Sequence, residues 1–129
     1  MLAPLVRDMI AAELPVLEAH GLSMWGYSVL LALDRSAIRT QAALAEAIGA
    51  DKTRIIAILD ELQQGGLIER VADPEDRRAR LLAITEEGRR VKEDTQAAIQ
   101  RGEERWLGTL SATDCAVFLR VLGQLSNQP

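Results

Sequence analysis

The stretch Gly65-Gly66-Leu67-Ile68-Glu69-Arg70-Val71-Ala72-Asp73-Pro74-Glu75-Asp76-Arg77-Arg78-Ala79-Arg80-Leu81-Leu82-Ala83-Ile84-Thr85-Glu86-Glu87-Gly88 decides the fold of this chain. A glycine pair ends a helical pattern, and two short apolar runs follow on either side of a loop that contains Pro74. Three arginines lie close to the tip of that loop, namely Arg77, Arg78 and Arg80. Thr85 and the two acids behind it are typical of a helix start, because the hydroxyl can accept from an early backbone N–H and the acids suit the helix dipole. The stretch therefore predicts a β-hairpin with a basic tip between two helices.

The residues upstream predict two short helices joined by a tight turn. Apolar residues recur at helical spacing in both segments, at Leu44, Ile48, Ile55, Leu59 and Leu62. Thr40 and Asp51 are good N-cap residues, and Gly49 supplies a break between the segments. Two such helices form a helix-turn-helix, whose second helix normally enters the major groove of DNA. Together with the hairpin, they predict a mainly α winged helix-turn-helix with a small β-hairpin wing.

The flanking segments predict helices through which the chain dimerises. Leu5, Met9, Ala12 and Val16 form an apolar stripe in the first segment, in which Pro15 is expected to end or kink the helix. A long polar helix is expected from Thr85 to about Leu107. Ser111 is expected to begin a last helix, with an apolar face that includes Phe118, Val121, Leu122 and Leu125. Because a small winged domain cannot cover these stripes, pairing across a two-fold axis is expected. We therefore expect one domain, 1–129, with N- and C-terminal dimerisation helices at 1–21 and 86–129 and a DNA-binding region at 22–85.

The sequence resembles the MarR family of bacterial transcriptional regulators over roughly residues 22–92. Asp73-Pro74-Glu75-Asp76-Arg77-Arg78, followed by Leu82-Ala83-Ile84-Thr85-Glu86-Glu87-Gly88-Arg89, is similar to that family's wing and the helix start behind it. Asp51-Lys52-Thr53 is similar to a common opening of its recognition helix. The resemblance implies an obligate homodimer on a palindromic operator, often released by a small ligand or by oxidation. It also implies that Asp51 supports the wing through an ion pair with Arg78.

The candidate DNA contacts lie in the helix-turn-helix and the wing: Thr40, Gln41, Lys52, Thr53, Arg54, Arg77 and Arg78. Cations near a helix N-terminus cost about 0.3–1 kcal/mol each, so a phosphate or base partner explains Lys52 and Arg54 better than helix stability does. The Arg54 guanidinium can contact guanine O6 and N7 together, whereas Arg77 at the wing tip is expected to meet phosphate or a narrow minor groove. A solvated loop, neutralised by its own acids, is the plainer explanation of the wing arginines.

One position departs from the family pattern. Ala57 lies where many relatives have an arginine or another polar residue on the groove-facing side of the recognition helix. Base recognition is therefore expected in the first turn of that helix, or through a contact between Ala57 and a thymine methyl group.

The charge balance is the main argument against DNA binding. The formal net charge is −4 and the pI is near 5.0, whereas DNA-binding domains are expected to be basic. Residues 35–92 nevertheless hold eleven basic and ten acidic side chains, so the excess acid lies in the flanks. We expect modest non-specific affinity and a dependence on the avidity of a dimer.

A small-molecule pocket between the dimer helices and the winged region is a further expectation, with His20, Trp25 and Tyr27 as its candidate lining. The single cysteine, Cys115, lies on the apolar face of the last helix and is expected to be a buried core thiol. One histidine and one cysteine cannot by themselves form a dedicated metal site, so neither a metal nor a cofactor is expected. The N-terminus lacks the features of a signal peptide, and no apolar run reaches membrane-spanning length, so a cytoplasmic protein with no membrane partner is expected.

Two other classes of protein compete with a DNA-binding regulator. An enzyme is disfavoured, because no HExxH, Gly-rich phosphate loop or GxSxG motif occurs and the adjacent acid pairs point apart on a helix. A winged helix used only for contact with another protein is favoured by the acidic balance and opposed by the basic wing and helix start. Aromatic residues make up 3% of the chain, which disfavours a single-strand or RNA binder because such proteins stack bases on aromatic side chains.

Overall fold

The computed structural model describes residues 2–38 and 40–126, which form six helices and one β-hairpin. In chain order they are α1 (Leu2–Ala19), α2 (Met24–Arg35), α3 (Gln41–Ile48), α4 (Lys52–Gln64), β1 (Ile68–Asp73), β2 (Asp76–Ile84), α5 (Glu86–Leu107) and α6 (Ala112–Ser126). The mainly helical fold with a two-stranded antiparallel wing is as the sequence predicts. Met1, Arg39 and 127–129 of the expected single domain lie outside the described residues.

The expected helix starts and stops are confirmed by their hydrogen bonds. At each N-cap, the side-chain oxygen accepts from the backbone N–H three residues later, at 2.7–3.1 Å. The N-cap residues are Ser23, Thr40, Asp51, Thr85 and Ser111. Gly49 ends α3 in the left-handed region at φ 75°, and Gly66 turns the chain into β1 at φ 74°. A side chain with a Cβ would be strained at either glycine.

Of the two alternatives expected at Pro15, an end of α1 is wrong, since the helix continues through the proline to Ala19. The helix loses one backbone hydrogen bond at proline, but its last turn is held by packing. Leu17 is almost fully buried in the core, and the Nδ1 of His20 donates to the Val16 carbonyl at 2.8 Å. Burial at the end of α1 thus outweighs the local cost of the proline.

The hairpin gains a third, very short strand that the sequence did not indicate. Ile38 and Leu82 exchange two backbone hydrogen bonds, at 3.0 and 2.7 Å, which fastens the segment before α3 to β2. Within the hairpin, Ile68 pairs with Ile84 and Ala72 pairs with Arg80. The register then shifts, so that Asp73 pairs with Asp76 and 77–79 lie in an irregular part of the wing. A single bridging residue is too short to produce an alternating pattern, which is why sequence inspection missed it.

The core lies where α2 and α4 pack against the base of the hairpin and the first half of α5. Its largest fully buried side chains are Leu17, Val29, Leu30, Leu44, Ile55, Leu59 and Thr95. Gly88 lets α5 begin directly against the strand loop, because a Cβ there would overlap the backbone carbonyl of Leu67. The winged region and α5 are therefore joined without room to shift.

An ion-pair network also joins the end of α2 to α5. Lys92 is 7% exposed, and its Nζ lies 2.6 Å from Asp34 Oδ2. The Nε of Arg89 donates to the other oxygen of Asp34 at 2.9 Å. Lys92, and then Arg89, hold the pKa of the Asp34 carboxyl below its ordinary value by hydrogen bonding to the ionised form. This network fixes the orientation of the winged region on α5.

The terminal helices leave a large apolar surface uncovered in the single chain. No residue of α6 is buried, although its face is apolar. Its apolar side chains Phe118, Val121, Leu122 and Leu125 are 44, 39, 47 and 62% exposed. The α1 residues Leu2, Leu5, Val6, Ile10 and Leu14 are also exposed. The expectation of a buried Cys115 thiol is wrong for the isolated chain, where Cys115 is half-buried because nothing packs on that face of α6.

Within 2–38 and 40–126, no single helix has the length and apolar content to cross a membrane. The pair α1 and α2 passes that test only when taken together, across an 80° bend.

Candidate nucleic-acid interface

The first turn of α4 presents a polar, exposed surface. Ile55, Ile58, Leu59 and Leu62 turn one side of the helix into the core. Lys52, Thr53 and Arg54 are all exposed, as the sequence predicts for the start of a recognition helix. At 3.6 residues per turn, Thr53 and Ala57 lie opposite the buried side, and Arg54 lies on a flank. A helix placed in the major groove by this exposed face would direct Thr53 and Ala57 at the base edges.

Ile56 is a candidate contact that the sequence analysis missed. It is 53% exposed on α4, next to Ala57. The signal was present in the sequence, since Ile56 falls outside the apolar stripe of Ile55, Leu59 and Leu62. An apolar side chain on the exposed face of such a helix can contact a thymine methyl group.

Arg54 does not extend freely from α4. Its guanidinium carbon lies 5.4 Å from the centroid of the Trp25 ring, which is within the range of a cation–π contact. The indole of Trp25 faces Arg54 in the single chain, and the expectation that Trp25 lines a small-molecule pocket stays a prediction. No spacing rule links two residues 29 positions apart, so sequence reasoning could not find this contact.

Asp51 has one of its two expected roles. Its Oδ1 accepts from the backbone N–H of Arg54 at 2.7 Å and caps α4. The expected ion pair with Arg78 is absent from the residues that the structure describes. The backbone N–H of Arg78 instead donates to Asp76 Oδ1 at 3.0 Å, which fixes the wing on itself.

The wing tip is a short turn between β1 and β2. Asp73 Oδ1 accepts from the Glu75 backbone N–H at 2.9 Å and tightens this turn. Arg77 and Arg78 follow it, and both are exposed. The tip therefore presents two cations on a hydrogen-bonded turn, which suits contact with a polyanion.

The start of α3 adds a third exposed element. Thr40 Oγ1 accepts from the Ala43 backbone N–H at 2.9 Å, and Gln41 is the first residue of the helix. Thr40 is exposed and Gln41 is half-buried. A phosphate at this helix start would meet unsatisfied backbone N–H groups and the positive end of the helix dipole.

Part of the basic charge of 35–92 serves the fold. Lys92 and Arg89 both hold Asp34, and Arg90 is bound by Glu87 and Asp94. Arg70 is bound by Gln63. Among the described residues, Lys52, Arg54, Arg77 and Arg78 remain exposed on α4 and the wing, and this small number limits the electrostatic attraction of the interface.

A ligand-sized groove lies between α1 and α5. It holds about 660 Å³ and is lined by side chains that include Pro15, Arg101, Arg105 and Trp106. It continues into a narrow inner end, lined by Glu13, Glu103, Val16 and Ile99. Ligand sites in proteins commonly hold 300–1,000 Å³.

None of the three pocket residues expected from the sequence lines this groove, although Tyr27 lies within reach of the charges of its residues Glu13 and Glu103. Burial, and then the charges of Glu13 and Glu103, raise the pKa of the Tyr27 hydroxyl. Burial, and then the charge of Glu103, raise the pKa of the Glu13 carboxyl. His20 does not line the groove, and its ring is held by the Val16 carbonyl. The polar side chains of the groove are Glu13, Glu103, Arg101 and Arg105. The sequence analysis missed them because they lie on two helices that are far apart in the sequence.

Comparison with known proteins identifies the family. Residues 20–79 match the sequence profile of the MarR family. Transcriptional regulator HosA of Escherichia coli O111:H- is 32% identical over 105 residues, which is 78% of this chain and 75% of HosA. The chain belongs to the MarR family of transcriptional regulators.

Solved structures of MarR-family regulators share the fold. CouR from Rhodococcus jostii RHA1, bound to p-coumaroyl-CoA, is 30% identical, with a TM-score of 0.78 over 99% of this chain and 90% of CouR. CouR bound to a 23-mer DNA duplex is 27% identical, with a TM-score of 0.79 over 98% of this chain and 89% of that one. The winged region of this MarR-family regulator therefore has the architecture of a protein captured on duplex DNA.

Proposed function

We propose that this MarR-family regulator is a homodimer that binds a palindromic operator in double-stranded DNA and acts as a ligand-responsive repressor in the cytoplasm. The observation that carries the proposal is the joint exposure of the α4 first turn and the basic wing tip. Lys52, Thr53, Arg77 and Arg78 are all exposed on these two elements. The fold similarity to a regulator bound to a DNA duplex supports this use of the surface. MarR-family regulators are not enzymes, and the proposed function contains no catalytic step.

The apolar surface of α1 and α6 supports the homodimer. Leu14, Phe118 and Leu122 are each 44–50% exposed in the single chain. Monomeric soluble proteins rarely expose a contiguous apolar patch of more than a few hundred Å². A second copy brings an identical patch, and a two-fold axis covers both at once. The same axis presents the winged regions of the two chains to the two half-sites of a palindrome.

The groove between α1 and α5 supports a small-molecule effector with two polar ends. The Glu13 and Glu103 carboxylates at its inner end suit a hydrogen-bond donor, and Arg101 and Arg105 at its open part suit an anionic group. A coenzyme A thioester with a phenolic acyl group has both features. CouR binds such a molecule, p-coumaroyl-CoA, and that molecule is the first probe to use.

Filling the groove is expected to abolish the response to an effector. Gly102 lines the groove, and a Cβ there would meet nothing within 4 Å, so Gly102→Leu occupies the space without backbone strain. We expect p-coumaroyl-CoA to raise the melting temperature of the wild type and to release it from operator DNA. Gly102→Leu should keep operator affinity and lose both effects. Gly102→Ala, which adds only a Cβ at the same open position, is the matched control for helix propensity. Equal responses in wild type and Gly102→Leu would exclude this groove.

DNA binding and protein-only contact are separated by the salt dependence of affinity. Fluorescence anisotropy with a random duplex should show log affinity falling linearly with log salt concentration, because cations of the protein release counterions from DNA. Arg77→Ala should weaken binding to random and operator duplexes by similar factors and reduce the slope by about one ion per site. Arg101→Ala removes the same charge away from the interface and should leave the slope unchanged. Absence of duplex binding at low salt would favour the winged helix as a protein-contact module.

A further inference from the structure

The contact between Trp25 and Arg54 joins two elements of the winged region. Trp25 is the second residue of α2 and is half-buried, whereas Arg54 is exposed in the first turn of α4. The guanidinium carbon lies 5.4 Å from the centroid of the indole ring. Among the ion pairs of 2–38 and 40–126, none involves Arg54. The indole face is therefore the group that orders this side chain.

The position of the contact on α4 shows where the guanidinium is directed. Ile58 and Glu61, four and seven residues after Arg54, line a cavity together with Leu22, just before α2, and Gly26, in its first turn. Residues at these spacings share one side of a helix, so the Arg54 side of α4 faces α2. Thr53 lies about 100° and Ala57 about 60° from Arg54 around the helix axis, and both are nearer the middle of the exposed face. Arg54 is thus held on a flank of α4 and not at the centre of its groove-facing side.

A flank of a recognition helix meets the wall of the major groove. The major groove is about 12 Å wide and an α-helix with its side chains is about 10–12 Å across, so the flanks lie against the sugar–phosphate backbones. A guanidinium held on a flank is placed to bind phosphate oxygens through its N–H donors, while the indole contacts the group. Ordering a long arginine side chain in advance reduces the entropy lost when it binds.

We propose that Trp25 is a positioning residue, whose indole holds the Arg54 guanidinium on the flank of α4 so that it binds a backbone phosphate at the wall of the major groove. The proposal rests on DNA binding by this surface, as proposed above. It replaces the guanine contact expected for Arg54 from its place in the first turn. It also gives Trp25 a role in affinity without any contact between Trp25 and DNA.

A double-mutant cycle on DNA affinity tests the proposal. The variants are Trp25→Leu, Trp25→Phe, Arg54→Ala and Trp25→Leu with Arg54→Ala, titrated against an operator selected from a random library and against a random duplex. Trp25→Leu should weaken both duplexes by the same factor, roughly two- to fivefold, which is the range of a cation–π contact at an exposed site. Trp25→Phe keeps an aromatic face and should recover most of the loss. Arg54→Ala should weaken both duplexes equally and flatten the salt slope by about one ion. In the Arg54→Ala background, Trp25→Leu should change nothing further.

Three outcomes of the cycle would overturn the proposal. A loss from Trp25→Leu that persists in the Arg54→Ala background would mean that Trp25 acts through general packing. A gain in affinity from Trp25→Leu would mean that the indole withholds Arg54 from DNA. A loss from Arg54→Ala on the operator but not on the random duplex would restore the base contact. Thermal unfolding of each variant, followed by circular dichroism, separates these effects from loss of fold.

The contact itself has a readout that needs no DNA. In Trp106→Phe, Trp25 is the single tryptophan, so the fluorescence reports on its ring alone. Removing the guanidinium with Arg54→Ala should change the emission, and Lys52→Ala, which removes a cation from the same turn, should not. Unchanged emission in Arg54→Ala would contradict the contact. If the wild type binds no duplex at low salt, both the proposed DNA binding and the phosphate role of Arg54 are excluded. The change in Trp25 emission still decides whether the contact between Trp25 and Arg54 exists.

Discussion

Asp34→Ala is expected to destabilise the protein by about 3 kcal/mol, because it leaves the buried Lys92 ammonium without its carboxylate. Removing one partner of a buried ion pair typically costs 3–5 kcal/mol. The lower end applies here, because the side chain of Asp34 is 25% exposed and water can partly solvate what remains. Chemical denaturation of the wild type and the variant, followed by circular dichroism, measures the difference.

The control for Asp34→Ala is Asp94→Ala, which removes the carboxylate of a solvent-exposed pair with Arg90. Exposed pairs contribute about 0–1 kcal/mol, so this variant should lie close to the wild type. A cost for Asp34→Ala no larger than that of Asp94→Ala would show that Lys92 finds another partner or enough water.

The pH dependence of the Asp34→Ala effect has a defined sign. The pKa of Asp34 is held below its ordinary value of about 3.9 in the folded chain, first by Lys92 and then by Arg89. The stabilisation is therefore fully present above about pH 4 and is lost as the pH falls through the folded pKa. The difference between wild type and Asp34→Ala should stay constant from pH 5 to 7 and narrow in more acidic solution.

The order of elements could be predicted from the sequence because each boundary carries its own local signal. Ser23, Thr40, Asp51 and Thr85 begin helices through hydrogen bonds that span three residues, so the deciding chemistry lies within one turn. Gly49 adopts the positive φ that only glycine adopts without strain. The local signal at Pro15 wrongly predicted an end of α1, because the cost of the proline is outweighed by the burial of Leu17 against residues far away in the sequence.

The contacts that position the site could not be predicted, because their partners are far apart in sequence. Arg89 and Lys92 look like surface charges on a polar helix until α2 brings Asp34 against them. Nothing in the sequence pairs Trp25 with Arg54, which α4 brings to its ring. The composition gave the number of cations in the winged region, but only the packing shows which of them are left to face a partner.

The apolar faces of α1 and α6 are exposed in the single chain. The apolar stripe of α6 was recognisable from its spacing, and the structure leaves it exposed instead of providing a cover. Its exposure supports a second copy as the cover, since a two-fold axis pairs the stripe with itself. The half-buried state of Cys115 belongs to the same surface, so a second copy on α6 would move that thiol towards the buried state expected from the sequence.

Leu122→Asp is expected to convert the dimer into monomers and to lower operator affinity by roughly 100-fold or more, because two linked half-site contacts are reduced to one. In a monomer, Leu122 would stay 47% exposed and a surface substitution would change stability by about 0.5 kcal/mol or less. In the dimer, the new carboxylate would be buried without a partner, which is strongly unfavourable. Sedimentation velocity should show the variant at the mass of one 14.1 kDa chain, with its helical circular dichroism retained.

The matched control is Ile56→Asp, which places the same charge at an equally exposed apolar residue on α4 and should remain dimeric while losing operator affinity. A Leu122→Asp protein that sediments as a folded dimer would show that α6 does not form the interface.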